Sequence, residues 1–556
     1  MKHRLHDFLT AQAEHRPDAA AVVWRGQTTS YGELERASNR LARALVAMGC
    51  RRGDRVGLLL PKSTQALVAI FATLKADCIY VPIDTANPAA RIDRILRLCE
   101  CRCILAEPST TALLQDLIAS HGLPESVRIG WLDRDATLPG GVKTQFSWDD
   151  AASLSDAPLD SRSDLSDPAH ILFTSGSTGI PKGVVITHSN VTHFVKWAIV
   201  YLGMRATDRI SSHPPLHFDL STFDIYGAVA VGAQLHLLPP EISLLPHRLA
   251  EFIRESRLTQ WFSVPSALVP LATFGVVERD DFPELERLLW CGEKFPTRAL
   301  IRWMQCLPHV AFVNLYGPTE ATIASSYYRV SQCPASERAE IPIGQACDGE
   351  RLLVLNNQLI PAATGEIGDL YIGGVGLSPG YWRDPEKSKA AFKQNPYGTN
   401  SSDRIYKTGD LARIGVDGMI YLVGRSDSQF KSRGYRIELG EIEAALHATP
   451  GVQDAAVVTL DSGTDDRVIC CAYVPFPGAD LPPTSLKQQL AKILPRYMIP
   501  ARWIAFKRMP LNGSEKTDRT LLKERFRAEA SAEDAAARGQ RLTPQEAPAG
   551  RAAKSS

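Results

Sequence analysis

Helical segments alternate with short apolar strand-like segments over most of this chain, and nothing else in it restricts the fold so strongly. YGELERASNRLARALVAMG reads as a helix, RVGLLL as a strand, STQALVAIFATLKA as a helix and IYVPI as a strand. The alternation predicts α/β architecture with largely parallel sheets. No repeat of about 20–50 residues is visible. At about 100–200 residues per domain, a chain of 556 residues holds three or more compact units, or two of which one is large.

Near residue 424 the text changes to a smaller unit: a basic strand region (QFKSRGYRI), a helix (LGEIEAALHA), a strand (DAAVVTL) and another helix (SLKQQLAKIL). The expected division is a large α/β domain over 1–424, itself of several sheets and helices, and a small mobile α+β domain over 425–527. From Ala528 to 556 large apolar residues almost vanish, and a disordered tail is expected there.

Composition excludes some classes. The 62 basic and 61 acidic residues leave a formal net charge of +1, so no overall field favours nucleic acid. Eleven cysteines are an odd number, and MKHRLHDFLTAQAEHRPDAA has no apolar signal core, which predicts a cytoplasmic protein with reduced thiols. Cys99, Cys101 and Cys103 alternate, which on a strand puts them on one face; with no cluster nearby to complete a tetrahedral set, packing is the expected role. No run nears about 18 apolar residues, so no membrane-spanning helix is expected.

Residues 169–190 read AHILFTSGSTGIPKGVVITHSN. An apolar strand runs into Thr174, Ser175, Gly176, Ser177, Thr178 and Gly179, and after Lys182 a second apolar strand begins. Glycines let backbone amides converge on an anion, while the hydroxyls and Lys182 add donors and charge. No GK[ST] opens a helix, so this is a phosphate-cradling loop of another kind than the P-loop. Two core-type strands framing it argue against a flexible linker.

The segment resembles the signature loop of the adenylate-forming superfamily: acyl-CoA synthetases, luciferases and the adenylation domains of nonribosomal peptide synthetases. The rest of that family's pattern follows in order across residues 29–525. In NLYGPTEAT (314–322) the resemblance implies that Tyr316, before Gly317, stacks on adenine, Thr319 contacts the α-phosphate and Glu320 binds Mg²⁺, with Asn314, Gly292 and Glu293 at the adenine edge. It implies that Asp410 of YKTGDL holds the ribose hydroxyls, that Arg425 faces the nucleotide and that Asp427 is the hinge. Lys431 and Gly434 then fall where a thiol-bearing arm approaches, and Lys516 of PLNGSEKTDR is in register with the catalytic lysine, with Ser514 and Glu515 a local departure. LKADCIYVPID departs too: Asp77 and Cys78 replace the usual pair of glycines.

The acid is indicated by HFDLSTFD (217–224). In amino-acid-activating members the aspartate after the phenylalanine pairs with the α-ammonium, and Asp219 stands there; the competing role is a helix N-cap. An unpaired carboxylate facing an apolar acid would be costly, so fatty-acid members lack it. His217 matches a position gating access. The implied pocket is Leu220, Phe223, Ser266, Leu289, Cys291, Leu315, Ile323 and Ala324, which suits a small or medium apolar amino acid, proline first. With no carrier domain after Lys516, the expected acceptor is the phosphopantetheine thiol of a separate carrier protein, with coenzyme A as runner-up and ATP and Mg²⁺ as cofactors. An acyl-CoA ligase and a non-catalytic nucleotide-binding regulator remain the alternatives.

Overall fold

Two helices that are apolar nearly all round set the architecture. Residues 66–75 of the helix Thr64–Lys75 are all buried, as are residues 220–229 of the helix Asp219–Val231. A helix with no polar face has to be covered on every side. In the computed structural model, which describes residues 3–124, 126–134, 138, 142–176, 179–398, 403–461, 467–512 and 516–540 (backbone only for 532–540), each packs on its own sheet. They meet through Phe71 and Tyr226, whose rings lie edge to face with centroids 5.8 Å apart.

The first sheet has seven strands, in the order Phe146–Ser147, Arg128–Trp131, Cys103–Ala106, Arg55–Leu59, Ile79–Pro82, Pro168–Thr174 and Lys182–Thr187. All neighbours are parallel except the final hairpin, which carries the Gly/Ser/Thr loop. The second has nine strands and a parallel centre running from Ala20–Trp24 through Gln234–Leu237, Arg209–Ser212, Gln260–Ser263 and Arg287–Trp290 to Ala311–Tyr316. A five-stranded antiparallel sheet built on Ile367–Gly374 and Arg404–Ile414 completes the larger unit, and the hairpin Gln429–Ser432/Tyr435–Glu438 belongs to it. The mixed α/β fold follows the alternation in the sequence.

By internal contacts one compact unit comprises 1–441 with 491–497, and the other 442–490 with 498–556. The smaller unit has a three-stranded sheet, Val452–Asp461, Arg467–Pro475 and Arg502–Ala505, with Phe526 and Leu522 of the helix Arg519–Gln540 fully buried in its core. That helix continues through 528–540, where composition predicts disorder: Ala, Glu and Arg are strong helix formers even without apolar partners. Residues 541–556 lie outside the described residues.

Two departures from expectation have local causes. Cys99, Cys101 and Cys103 do not share a strand: Cys99 ends the helix Ala89–Cys99, Glu100 takes φ +49°, and only Cys103 is on a strand. All three are buried in apolar clusters. Asp77, where the resemblance implies glycine, sits at φ +56°. Its carboxylate accepts hydrogen bonds from Ser161 Oγ at 2.5 Å and Arg162 N–H at 2.8 Å, which offsets the left-handed backbone and ties down the 161–163 loop. Among the described residues no helix is long and apolar enough to cross a membrane.

Four histidines of the larger unit are buried: His6, His170, His188 and His236. Burial lowers His6 and His170 from 6.5 to about 3, and His188 and His236 to about 4. Leu5 N–H donates to His188 Nδ1, as a neutral ring requires. At these rings the unfolded chain binds more protons than the folded one below pH 6.5; Glu350 and Asp219, raised by burial to about 7 and about 6, act in the opposite sense but are fewer. Stability conferred by the neutral rings is therefore complete above that pH and lost as pH falls toward 4. Thermal unfolding followed from about pH 7.5 down to about 4.5 is expected to show a midpoint falling steadily below 6.5; a flat profile would contradict it.

Candidate functional site

The loop after Pro168–Thr174 needs glycine. A Cβ on Gly176 would stand 2.1 Å from the Ile180 carbonyl oxygen. Gly179 has φ +78°, and its N–H closes the turn onto Gly176 O. Thr174 Oγ1 is buried without a hydrogen-bond partner, and Ser175 Oγ donates to Arg436 O at 2.7 Å. Ser177 and Thr178 lie outside the described residues. Lys182 opens the next strand directly across from Thr174.

Beside it lies Glu320, in a single 3-10 turn, Thr319–Ala321, with no exposed surface. Arg436 Nη1 donates to both of its oxygens, at 2.8 and 2.9 Å, and Tyr381 Oη donates to Oε1 at 2.8 Å. Tyr381 is held along the Lys182 strand: Val185 N–H donates to Gly380 O, and Trp382 N–H to Gly183 O. Burial alone would raise the Glu320 carboxyl, but Arg436 and Lys182 bring it down to about 2. Burial and the Arg436 charge lower the Lys182 ammonium in turn. Neither Tyr381 nor Arg436 is among the residues that the sequence singles out, although Arg436 stands in the QFKSRGYRI segment. Their partner is 61 and 116 residues away, and no spacing rule spans that.

A second charged group lies along Arg404–Ile414. Asp410 accepts from Tyr316 Oη at 2.5 Å and Arg425 Nη1 at 2.7 Å. Arg425 also grips Asp427 through two bonds of 2.7 Å. Asn314 Nδ2 donates to Pro342 O, and Glu293 accepts from Ser266 N–H and Gly434 N–H. Gly292 has φ +95°, and Gly317 lies close against Ala324.

Asp219 is the first residue of its helix, and Phe218 is the N-cap, so the carboxylate is not a capping group. It keeps some solvent contact, yet burial pushes it up to about 6, opposed by a hydrogen bond from Thr319 and by the charge of Lys431. Leu220, Phe223, Leu289, Cys291, Leu315, Ile323 and Ala324 are buried in one continuous cluster. Cys291 also senses Lys431 and Asp219, although burial dominates and pushes its thiol up to about 12. Thr322 and Ile323 take φ +56° and +69°, unusual for β-branched residues and a mark of a constrained site. Ser266 is at the start of the helix Pro265–Thr273.

His217 packs edge to face on Phe218, and Tyr435 does the same from the hairpin. Between them Gly434, at φ +80°, is irreplaceable: a Cβ would meet Phe218 Cε2 at 2.8 Å and Val264 Cγ1 at 2.9 Å. The larger unit thus gathers Lys182, Thr319, Glu320, Asp219, Lys431 and Gly434. Lys516 belongs to the smaller unit, exposed on a turn where its N–H bonds Asn512 Oδ1.

The family model described as AMP-binding enzyme matches residues 9–382, and that described as AMP-binding enzyme C-terminal domain matches 441–516. The chain is 36% identical to an L-proline--[L-prolyl-carrier protein] ligase of Streptomyces coelicolor, over 93% of this chain and 94% of that one. It is 34% identical to one of the linear gramicidin synthase proteins of Brevibacillus parabrevis over 93% of its own length, but spans only 10% of that protein. Of one of the plipastatin synthase proteins of Bacillus subtilis, 33% identical over 93% of this chain, it spans 19%. Among solved structures, the Vibrio cholerae adenylation domain AlmE, in complex with glycyl-adenosine-5'-phosphate, matches with a TM-score of 0.81 and 26% identity, covering 95% of this chain and 98% of that one.

The Glu320–Arg436 pair carries a stability consequence. Removing one partner of a buried ion pair costs about 3–5 kcal/mol, whereas removing both costs far less. Arg436→Met is expected to lower the free energy of unfolding in urea by about 3 kcal/mol, and adding Glu320→Gln to recover at least half of it. An Arg436→Met chain as stable as the parent would show that Lys182 and Tyr381 alone suffice.

Proposed function

The chain belongs to the AMP-binding enzyme family, for which ATP is the substrate, and from that premise we propose that it activates an amino acid as its aminoacyl-adenylate and passes it to a carrier-protein thiol. The observation behind the amino acid is Asp219, a carboxylate at the start of its helix beside the apolar cluster of Leu220, Phe223 and Cys291. An α-ammonium supplies the charge such a carboxylate needs; a fatty acid leaves it unpaired. Cys291 and the aliphatic wall suit a small apolar side chain, and the similarity to a proline ligase supports proline first.

The acid's carboxylate attacks the α-phosphorus, the bond to the leaving pyrophosphate breaks, and the adenylate forms. A thiol then attacks the acyl carbon and AMP leaves. No protein nucleophile is required, and the work is positioning and charge neutralisation. In this reading Lys182 and the 174–179 loop hold phosphate oxygens, Tyr316 faces the base, Asp410 and Arg425 hold the ribose, and Thr319 joins the phosphate side to Asp219. Lys516 supplies charge to the first step only. Asp427 is the hinge residue, and Lys431 and Gly434 line the approach of the thiol arm. Glu320 has the ionised state a Mg²⁺ ligand needs, and it would hold the cation once Arg436 withdraws from its two oxygens, the rest of the shell coming from substrate phosphates and water. When bound there, the cation would neutralise charge on the phosphates. The phosphopantetheine arm of a carrier protein is the proposed acceptor and coenzyme A the second, with the cytoplasm as the setting.

Asp219→Ala tests the amino-acid assignment. Truncating one member of a desolvated charge pair costs about 2–5 kcal/mol, or one to several orders of magnitude in kcat/KM for the amino acid. Pyrophosphate exchange with the deaminated analogue of that acid should be unchanged or improved. Equal losses for both would favour the acyl-CoA ligase alternative.

A further inference from the structure

One buried cation takes no part in the chemistry above. Lys62 follows the strand Arg55–Leu59 and is 8% exposed. Its Nζ donates to the carbonyl oxygens of Ser212 and His213, the second at 2.8 Å. Ser212 ends the strand Arg209–Ser212 of the nine-stranded sheet, while Lys62 leaves the seven-stranded one. A single amine therefore ties together the ends of one strand from each sheet.

The acid-binding corner starts at this tie. From His213 the chain runs Pro214, Pro215, Leu216, His217 and Phe218 to Asp219. Two prolines fix φ in succession, Phe218 N–H bonds back to Pro215 O at 3.0 Å, and Ser221 Oγ donates to Phe218 O at 2.7 Å. So short and stiff a span transmits the position of its origin to His217 and Asp219. From the helix that Asp219 begins, Asp224 is fully buried, and neither carboxylate oxygen has a hydrogen-bond partner. The charge acting on it is Lys62.

We infer that Lys62 is a positioning residue for the amino-acid site: its bonds to Ser212 and His213 set the start of the Asp219 loop. The inference rests on Asp219 being the amine anchor. It does not depend on the charge of Lys62, because a neutral amine still has an N–H for each carbonyl.

Lys62→Met keeps the length and removes the donors. In pyrophosphate exchange with the best amino acid, its KM for that acid is expected to rise about 10- to 100-fold while the KM for ATP moves less than about threefold, as displacement of one corner of the site requires. The variant also strands Asp224, so stability falls with it. Lys62→Met/Asp224→Asn removes that stranded charge, and it is expected to regain thermal stability but keep the raised amino-acid KM. Lys62→Arg, which still donates to carbonyls, should bring that KM back toward the parent value. Recovery of KM together with stability in the double variant, or a parallel rise in both KM values, would overturn the inference and leave Lys62 a stabilising contact only. If Lys62→Met is too unstable to assay, the double variant and Lys62→Arg supply the same comparison. The deaminated analogue in Asp219→Ala separates failure here from failure of the anchor: equal losses there remove the anchor whatever Lys62 does.

Discussion

Glu320 is a carboxylate with no access to water, and much of the larger unit is organised to keep it ionised. Desolvating such a group costs several kcal/mol unless charges and donors are brought to it. They come from three distant stretches: Lys182 from a hairpin of the seven-stranded sheet, Tyr381 from the segment laid along that hairpin, and Arg436 from the hairpin 429–438. Each donor is itself tethered. Ser175 holds the Arg436 backbone, Gly434 bonds Glu293, and Val185 bonds Gly380. The carboxylate therefore acts as the point at which the loop after Thr174, the apolar cluster around Leu315 and the hairpin 429–438 are brought into register.

That arrangement explains why strain and close approach concentrate nearby. Thr322 and Ile323, two β-branched residues in succession at positive φ, follow closely after Glu320, and Gly317 before it presses on Ala324. The backbone is bent sharply on both sides so that the Glu320 carboxylate meets Arg436 and Tyr381 while Leu315, Ile323 and Ala324 join the apolar cluster. Thr319, whose hydroxyl helps lower the Asp219 carboxyl, is the short link between the two.

Much of this was legible in the sequence because the residues that make loops announce themselves. TSGSTG, YGPTE and TGD combine glycine, hydroxyls and carboxylates; the first two begin where a strand ends, at Thr174 and Tyr316, and TGD lies within the strand Arg404–Ile414. Partners far apart in the chain were not legible: nothing in GYWRDPEKS or GYRIE says that Tyr381 and Arg436 share Glu320. Helix ends without glycine were misread for a related reason. Cys99–Cys103 looks like a strand because Glu100, not glycine, takes the left-handed turn that stops the preceding helix. Asp219 carries the residue type of an N-cap but stands one position inside the helix, a difference of register that only coordinates reveal.

The most direct measurement is ATP–pyrophosphate exchange across the common amino acids, with fatty and aryl acids in the same panel. Exchange stimulated strongly by one small apolar amino acid, with proline the first expectation, and hardly at all by acids lacking an α-amine is the expected result. Exchange driven by fatty or aryl acids, or none with any acid in the panel although ATP binds, would contradict amino-acid activation.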